Sequence, residues 1–255
     1  AWPYPFWIAH RGAGKLAPEN TLAAFRLGAQ HGYRMAECDV KLSADGVPFL
    51  LHDTTLQRTT NASGVAGERP WADLAQLDAG SWHSRAYAGE SIPTLANLAR
   101  FCLANGLHLD LEIKPTPGQE ADTGRVVAEA AAPLWRNAAV PPLLTSFRPE
   151  ALQAAARSAP DLPRGLLLDT LWDGWAEIAA QLGCRAIICN HALWDAALVA
   201  QVHGAGMRAL SYTVNDEWAV ERLKALGTDG IVTDRVDRLS RLGVRQRGAR
   251  DVERL

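Results

Sequence analysis

Phe6-Trp7-Ile8-Ala9-His10-Arg11-Gly12 is an apolar run that stops abruptly at a histidine and an arginine. A short loop containing Pro18-Glu19-Asn20 leads into Thr21-Leu22-Ala23-Ala24-Phe25. Read physically, the run is a buried β-strand that hands a base and a guanidinium to its C-terminal rim, followed by a loop and a helix. In an α/β barrel that rim carries the chemistry. A histidine at a strand end is more often a hydrogen-bonded structural residue, so the weight of this stretch depends on the rest of the chain.

Outward from it, apolar segments of strand length recur at 6–10, 35–42, 107–114, 142–147, 164–168, 185–190, 207–214 and 230–233. Helical apolar spacing fills the gaps at 21–31, 94–105, 125–135, 150–158, 176–182, 194–203 and 217–226. Strand and helix alternating through short loops predicts a (β/α)₈ barrel. A length of 255 residues suits one such domain. One segment breaks the rhythm: residues 47–52 follow the second strand after Asp45-Gly46 alone, too short a link for a parallel crossover, and should fold back as a hairpin arm. Residues 53–91 are rich in turn formers and aromatics, and read as a small insertion over the barrel mouth. The barrel is expected to span 1–243, with a charged tail at 244–255.

Two strands carry charge with period two. In Met35-Ala36-Glu37-Cys38-Asp39-Val40-Lys41-Leu42, and again in Leu107-His108-Leu109-Asp110-Leu111-Glu112-Ile113-Lys114, aliphatic and charged residues alternate. Either strand alone would read as a half-exposed antiparallel sheet. As barrel staves, their aliphatic faces meet the helices and their charged faces point inward, where unpaired carboxylates are costly. Several inward carboxylates call for a cation. Glu37, Asp39 and Glu112 offer hard oxygen donors without a Cys/His set of zinc spacing, so the fitting ion is one Mg²⁺ or Ca²⁺. Asp110 lies about 6.6 Å deeper along its strand than Glu112 and is assigned a buried hydrogen bond or ion pair instead.

The ordered set of His10-Arg11-Gly12, Pro18-Glu19-Asn20-Thr21, Glu37-Cys38-Asp39, His52-Asp53, Leu56-Gln57-Arg58-Thr59-Thr60, Ile92-Pro93-Thr94-Leu95, Glu112-Ile113-Lys114 and Asp229-Gly230-Ile231-Val232-Thr233-Asp234 resembles the glycerophosphodiester phosphodiesterase family, bacterial and cytoplasmic in type. The resemblance runs from about Ile8 to Asp234. It implies metal-dependent hydrolysis of a deacylated phospholipid, such as glycerophosphocholine or glycerophosphoethanolamine, to sn-glycerol 3-phosphate and an alcohol. It implies a small insertion where 53–91 stand, points to Glu37, Asp39 and Glu112 as metal ligands, and makes His10 and His52 the general acid and base. The glutamate of the Pro18-Glu19-Asn20-Thr21 motif reaches the metal site in the family, so Glu19 is a further candidate ligand; by its residue type it would serve equally well near a helix N-terminus capped by Asn20 or Thr21.

A phosphodiester is an anion that resists attack, so its site must neutralise charge, position an oxygen and protonate the departing one. Arg11 and Lys114 suit the first task, by fork geometry and point charge respectively, or serve as structural partners of the carboxylates. His10 and His52 can divide the proton transfers because imidazole titrates near neutral pH. The other histidines fit no catalytic motif. Asp53 reads as a metal ligand or a loop initiator, and the 229–234 stretch as mainly structural. Phe147, Tyr212 and Trp82 are candidate apolar walls for substrate. Family members commonly carry tryptophan where Tyr212 stands, so the alcohol pocket departs from the pattern. Two rivals remain: a lysophospholipase D or sphingomyelinase D-like phosphodiesterase, and a non-catalytic barrel that binds phosphate esters.

The formal net charge of −2, with basic residues scattered, gives no electrostatic case for nucleic acid or an anionic membrane. No apolar stretch approaches the roughly 20 residues that span a bilayer, and no signal-peptide pattern is present, so no stable membrane insertion is expected. Cys38, Cys102, Cys184 and Cys189 lack C-x-x-C spacing and read as buried free thiols of a reducing cytoplasm, a secreted mature form being the alternative. A monomer or a homodimer fits equally.

Overall fold

A computed structural model describes residues 1–239. The tail expected at 244–255, with 240–243 of the expected barrel, lies outside the described residues. Eight parallel strands close on themselves: β1 (Trp7–Ala9), β2 (Met35–Leu42), β4 (His108–Ile113), β5 (Leu143–Ser146), β6 (Arg164–Leu168), β7 (Ala186–Asn190), β8 (Arg208–Tyr212) and β9 (Gly230–Thr233). Closure is made by β1, which pairs with β9 on one side and with β2 through Ala9 and Ala36 on the other. The short strand β3 (Pro48–Leu50) runs antiparallel to β2, as the Asp45-Gly46 link requires. The expected (β/α)₈ barrel is the observed fold.

Helices α1 (Leu22–Gln30), α3 (Leu95–Asn105), α4 (Glu120–Leu134), α5 (Pro149–Ser158), α6 (Trp175–Gln181), α7 (Ala196–Gly204) and α8 (Glu217–Leu226) ring the barrel, and α2 (Trp71–Leu74) is a single turn after β3. Their starts are chemically marked. Thr21 caps α1 by accepting from the Ala24 N–H, Thr94 and Asn97 form a capping box on α3, and Asp195 caps α7. Helix α4 begins at Glu120, five residues before its apolar spacing starts at 125, because its first turn is built of Glu120 and Asp122, which favour the helix dipole without adding an apolar face.

The alternation in β2 and β4 resolves as the barrel demands. Ala36, Cys38, Val40, Leu109, Leu111 and Ile113 pack outward against helices. Ile8, Met35, Leu143, Leu167, Ile188, Leu210 and Val232 form a separate apolar cluster inside the barrel. A small third core of Phe49, Leu51, Leu56, Ala66, Leu74, Ala79 and Ile92 lies under the 53–91 segment. All four cysteines are buried and free. Among the described residues, no helix is long and apolar enough to cross a membrane.

Candidate active site

The register of two neighbouring strands assembles the acidic group. Asp39 stands opposite Glu112, and Glu37 opposite Asp110, so period two on both strands brings four carboxylates together inside the barrel. Oxygens of Glu37, Asp39 and Glu112 lie within 4.8 Å of one another. Asp110 is not part of that group; its Oδ1 accepts from the Thr145 hydroxyl at 2.6 Å. Glu37 Oε2 accepts the Arg11 backbone N–H at 2.9 Å and Asp39 Oδ2 accepts the Asn20 amide at 2.9 Å. The remaining oxygens, Glu37 Oε1 and Asp39 Oδ1, are buried without any hydrogen-bond partner.

That crowding is reflected in protonation. Burial, then Asp39 and Glu112, push the Glu37 carboxyl well above the usual range. Burial, then Asp39, raise Glu112 to about 8, and burial raises Asp110 to about 7. Asp39 alone is held low: burial works against it, but Arg11, His52, Lys114 and the Asn20 amide prevail. A divalent cation among the three oxygens would let all three ionise and would use the two orphaned acceptors. The donors present therefore fit a hard ion.

His10 and His52 flank this group, and each is braced by a carboxylate. His10 Nδ1 is 2.7 Å from Asp234 Oδ1, and its Nε2 is 3.9 Å from Glu37 Oε2. His52 Nδ1 is 2.7 Å from Asp53 Oδ1. A ring nitrogen that donates to a carboxylate leaves Nε2 as the reactive atom. Burial, with Arg11 and Lys114, lowers the His52 pKa from 6.5 against the pull of Asp39 and Asp53.

The cations are positioned by strained or buried backbone. Arg11 sits at φ 51°, a left-handed conformation that ordinary side chains avoid, whereas Asn20 at φ 57° is of a type that tolerates it. In return the Arg11 guanidinium lies 3.4 Å from Asp39 and donates to Glu19 at 3.1 Å. Lys114 Nζ donates to Glu112 at 3.2 Å and lies 5.5 Å from the centre of the Phe147 ring. Lys41, fully buried, donates to the carbonyls of His52 and Lys114 and ties two rim loops together.

His10, Arg11, Glu37, His52, Glu112, Lys114, Phe147 and Tyr212 all line one cavity of about 390 Å³ at the C-terminal rim. Phe147 and Tyr212 meet edge to face with ring centroids 5.7 Å apart. Trp82 is not among the lining residues; it is 39% exposed, its indole N–H donating to the Ala79 carbonyl. Glu19 stands outside the acidic group: Arg58 donates to both its oxygens, at 3.0 and 2.7 Å, and Arg11 to one. Arg58 also grips Asp53 at 2.8 and 2.9 Å, so an ion-pair chain runs from Arg11 through Glu19, Arg58 and Asp53 to His52.

Asp234 is the site residue that sequence reasoning placed in a structural turn. It reaches His10 across 224 residues of chain and is itself held by Asn215, which donates to Oδ2 at 3.1 Å and accepts the Asp234 N–H at 2.9 Å. No signal in the sequence pointed to it; the structure shows the close approach at Gly14, where a Cβ would stand 2.2 Å from the Asp234 carbonyl oxygen, so only glycine lets the His10 loop lie on that strand end.

The Glycerophosphoryl diester phosphodiesterase family model matches residues 10–238. A glycerophosphodiester phosphodiesterase of Caldanaerobacter subterraneus is 31% identical over 235 residues, covering 89% of this chain and 93% of its own. An Oleispira antarctica phosphodiesterase, solved in complex with the product sn-glycerol-3-phosphate, superimposes with a TM-score of 0.84 at 36% identity, covering 90% of this chain and 93% of its own. The glycerophosphodiester phosphodiesterase of Agrobacterium tumefaciens gives 0.73 at 29% identity, over 92% and 98% of the two chains.

Proposed function

The chain belongs to the glycerophosphoryl diester phosphodiesterase family, and from that premise we propose that His10 and His52 share the proton transfers by which it hydrolyses glycerophosphodiesters to sn-glycerol 3-phosphate and an alcohol. The observation that carries the assignment is the pair of orphaned carboxylate oxygens on Glu37 and Asp39 beside two carboxylate-braced histidines that line one cavity.

Glu37, Asp39 and Glu112 would hold one divalent cation, Mg²⁺ or Ca²⁺ by the hardness of their oxygens. When bound, such an ion neutralises phosphoryl oxygen charge as a Lewis acid. Arg11 presents a planar fork to the phosphodiester and Lys114 a point charge. Burial, with Arg11 and Lys114, disfavours the His52 imidazolium, so its Nε2 accepts the proton of the glycerol 2-hydroxyl as that oxygen attacks phosphorus. His10, its Nδ1 held by Asp234, delivers a proton from Nε2 to the departing alcohol oxygen, and water then breaks the P–O2 bond of the cyclic phosphate with the two histidines exchanging roles, which yields sn-glycerol 3-phosphate. Glu19 acts as the brace of Arg11 and Arg58, since both its oxygens already accept from guanidinium groups. Phe147 and Tyr212 wall the substrate, and the 53–91 insertion, whose Arg58 braces Asp53, shapes access to it. Four buried free thiols support a reducing, cytoplasmic setting.

The test is turnover over a panel of glycerophosphodiesters after exhaustive chelation and add-back of Mg²⁺ or Ca²⁺. Release of sn-glycerol 3-phosphate should vanish on chelation and return with an ion. An undiminished rate after chelation would overturn the assignment of the acidic group.

A further inference from the structure

Strand β6 ends at Leu168, and the next residue, Asp169, lines the catalytic cavity. In the closed barrel β6 is four strands from β1 in either direction, so Asp169 faces His10 across the mouth. The other cavity carboxylates are committed: Glu37 and Glu112 to the acidic group, Asp110 to Thr145. Asp169 is different. It forms no ion pair among the described residues, and its hydrogen bond from the Tyr212 hydroxyl is 3.5 Å long, at the outer limit of such bonds, while that hydroxyl donates to the Leu168 carbonyl at 3.1 Å. Its acceptor capacity is therefore largely free.

The surroundings say what it accepts from. Phe147 and Tyr212 present ring surface beside it, and Leu167, Ile188 and Val232, all from the apolar cluster inside the barrel, line the cavity beneath. An anion repels the phosphate, which Arg11 and Lys114, with the cation that the acidic group would hold, draw toward β1, β2 and β4. A short polyol suits this end: its hydroxyls donate to a carboxylate, and its C–H faces pack on aromatic and aliphatic surface. Glycerol is also the part shared by the whole substrate class, and so matches the walled end of the cavity.

We propose that Asp169 accepts a hydrogen bond from the terminal hydroxyl of the substrate's glycerol and so selects glycerophosphodiesters that carry no acyl chain. The inference rests on the family reading above and deepens it. An ester at that oxygen removes the donor and drives a hydrocarbon chain past a carboxylate. A site built to bind a hydroxyl rejects the analogue without it, because its own polar group is left unpaired.

The experiment compares kcat/KM for glycerophosphocholine, for its analogue with the terminal hydroxyl replaced by hydrogen, and for lysophosphatidylcholine, in the wild type, Asp169→Asn and Asp169→Ala. The wild type should prefer glycerophosphocholine over the deoxy analogue by about tenfold, the low end for a hydrogen bond to a charged group, since Asp169 is exposed before substrate enters. In Asp169→Ala that ratio should fall to near one, with the loss borne by glycerophosphocholine, and the gap to lysophosphatidylcholine should narrow. Asp169→Asn, which keeps an acceptor oxygen, should retain part of the preference. An unchanged ratio in Asp169→Ala overturns the proposal. So does a loss seen with glycerophosphocholine but absent with glycerophosphoglycerol, which would assign Asp169 to a cationic head group. A metal-replete wild type that hydrolyses no glycerophosphodiester would instead overturn the family reading beneath it.

Discussion

β2 with β4, and β7 with β8, are pairs of adjacent parallel staves of one barrel, yet they fill its interior with opposite chemistry. Inward positions of β7 and β8 hold Ala186, Ile188 and Leu210, which join the interior apolar cluster. Inward positions of β2 and β4 hold Glu37, Asp39, Lys41, Asp110 and Glu112, all buried. Burying the first set stabilises the fold at roughly 25 cal/mol per Å² of apolar area. Burying the second works against it, since charges lose hydration and, apart from Lys41, repel one another. The apolar half lets the barrel stand while the charged half keeps its strain for chemistry, an arrangement typical of active sites.

The sharpest way to break that contrast is to neutralise the charged half. Glu37→Gln, Asp39→Asn and Glu112→Gln should each lower kcat/KM by about 10³ or more, the scale of losing metal-assisted charge stabilisation. In the presence of chelator, Glu37→Gln should leave Tm unchanged or raise it, because burial, Asp39 and Glu112 already oppose the Glu37 charge. A variant that keeps activity within tenfold, or that unfolds, would show that this half is structural after all. Replacing His10 or His52 by alanine should cost about 10²–10⁴ in kcat, the usual range of general acid–base catalysis, with circular dichroism unchanged.

The apolar half should answer with the opposite signature. Leu210→Ala, inside the barrel and away from the cavity lining, should cost about 2–5 kcal/mol of stability by denaturant titration, while kcat of the folded fraction moves only a few-fold. Loss of activity without loss of stability there would erase the distinction between the halves.

What could be read ahead of the structure divides along the same line. The staves announced themselves because each is a short apolar run or, in β2 and β4, a strict alternation of aliphatic and charged residues, and the β3 arm because two residues cannot make a parallel crossover. The acidic group was legible because period two, inside a closed barrel, leaves the carboxylates nowhere else to point. Partners distant in sequence were not. Asp234 reaches His10, and Arg58 clamps Glu19, through contacts that no local period encodes. Asp169 and Asn215 lie in loops after strands, where Asp and Asn are ordinary turn formers, so their residue types alone carried no signal.

The subtlest test concerns the ion-pair chain that links the charged half to the insertion. With His52 as the base, the acid limb of kcat/KM reports its pKa in the free enzyme, and that limb should fall below the ordinary histidine value of 6.5, since burial, Arg11 and Lys114 outweigh Asp39 and Asp53. Asp53 is one of the two groups that pull the value up. Asp53→Asn removes that pull and leaves the Arg58 guanidinium, now gripping Glu19 alone, with uncompensated charge nearby. Both changes disfavour the imidazolium, so the acid limb should move to lower pH, and activity at pH 5 relative to pH 8 should rise even as the maximal rate falls. The shift should be smaller than one unit, because Asp53 and Arg58 are partly solvated and water screens them. A limb that stays in place or moves upward would mean that His52 is not the base, or that Arg58 swings away once Asp53 releases it; the profile of Arg58→Gln with Asp53 intact separates the two, since removing that cation moves the limb to higher pH if His52 is the base and leaves it in place if His52 is not.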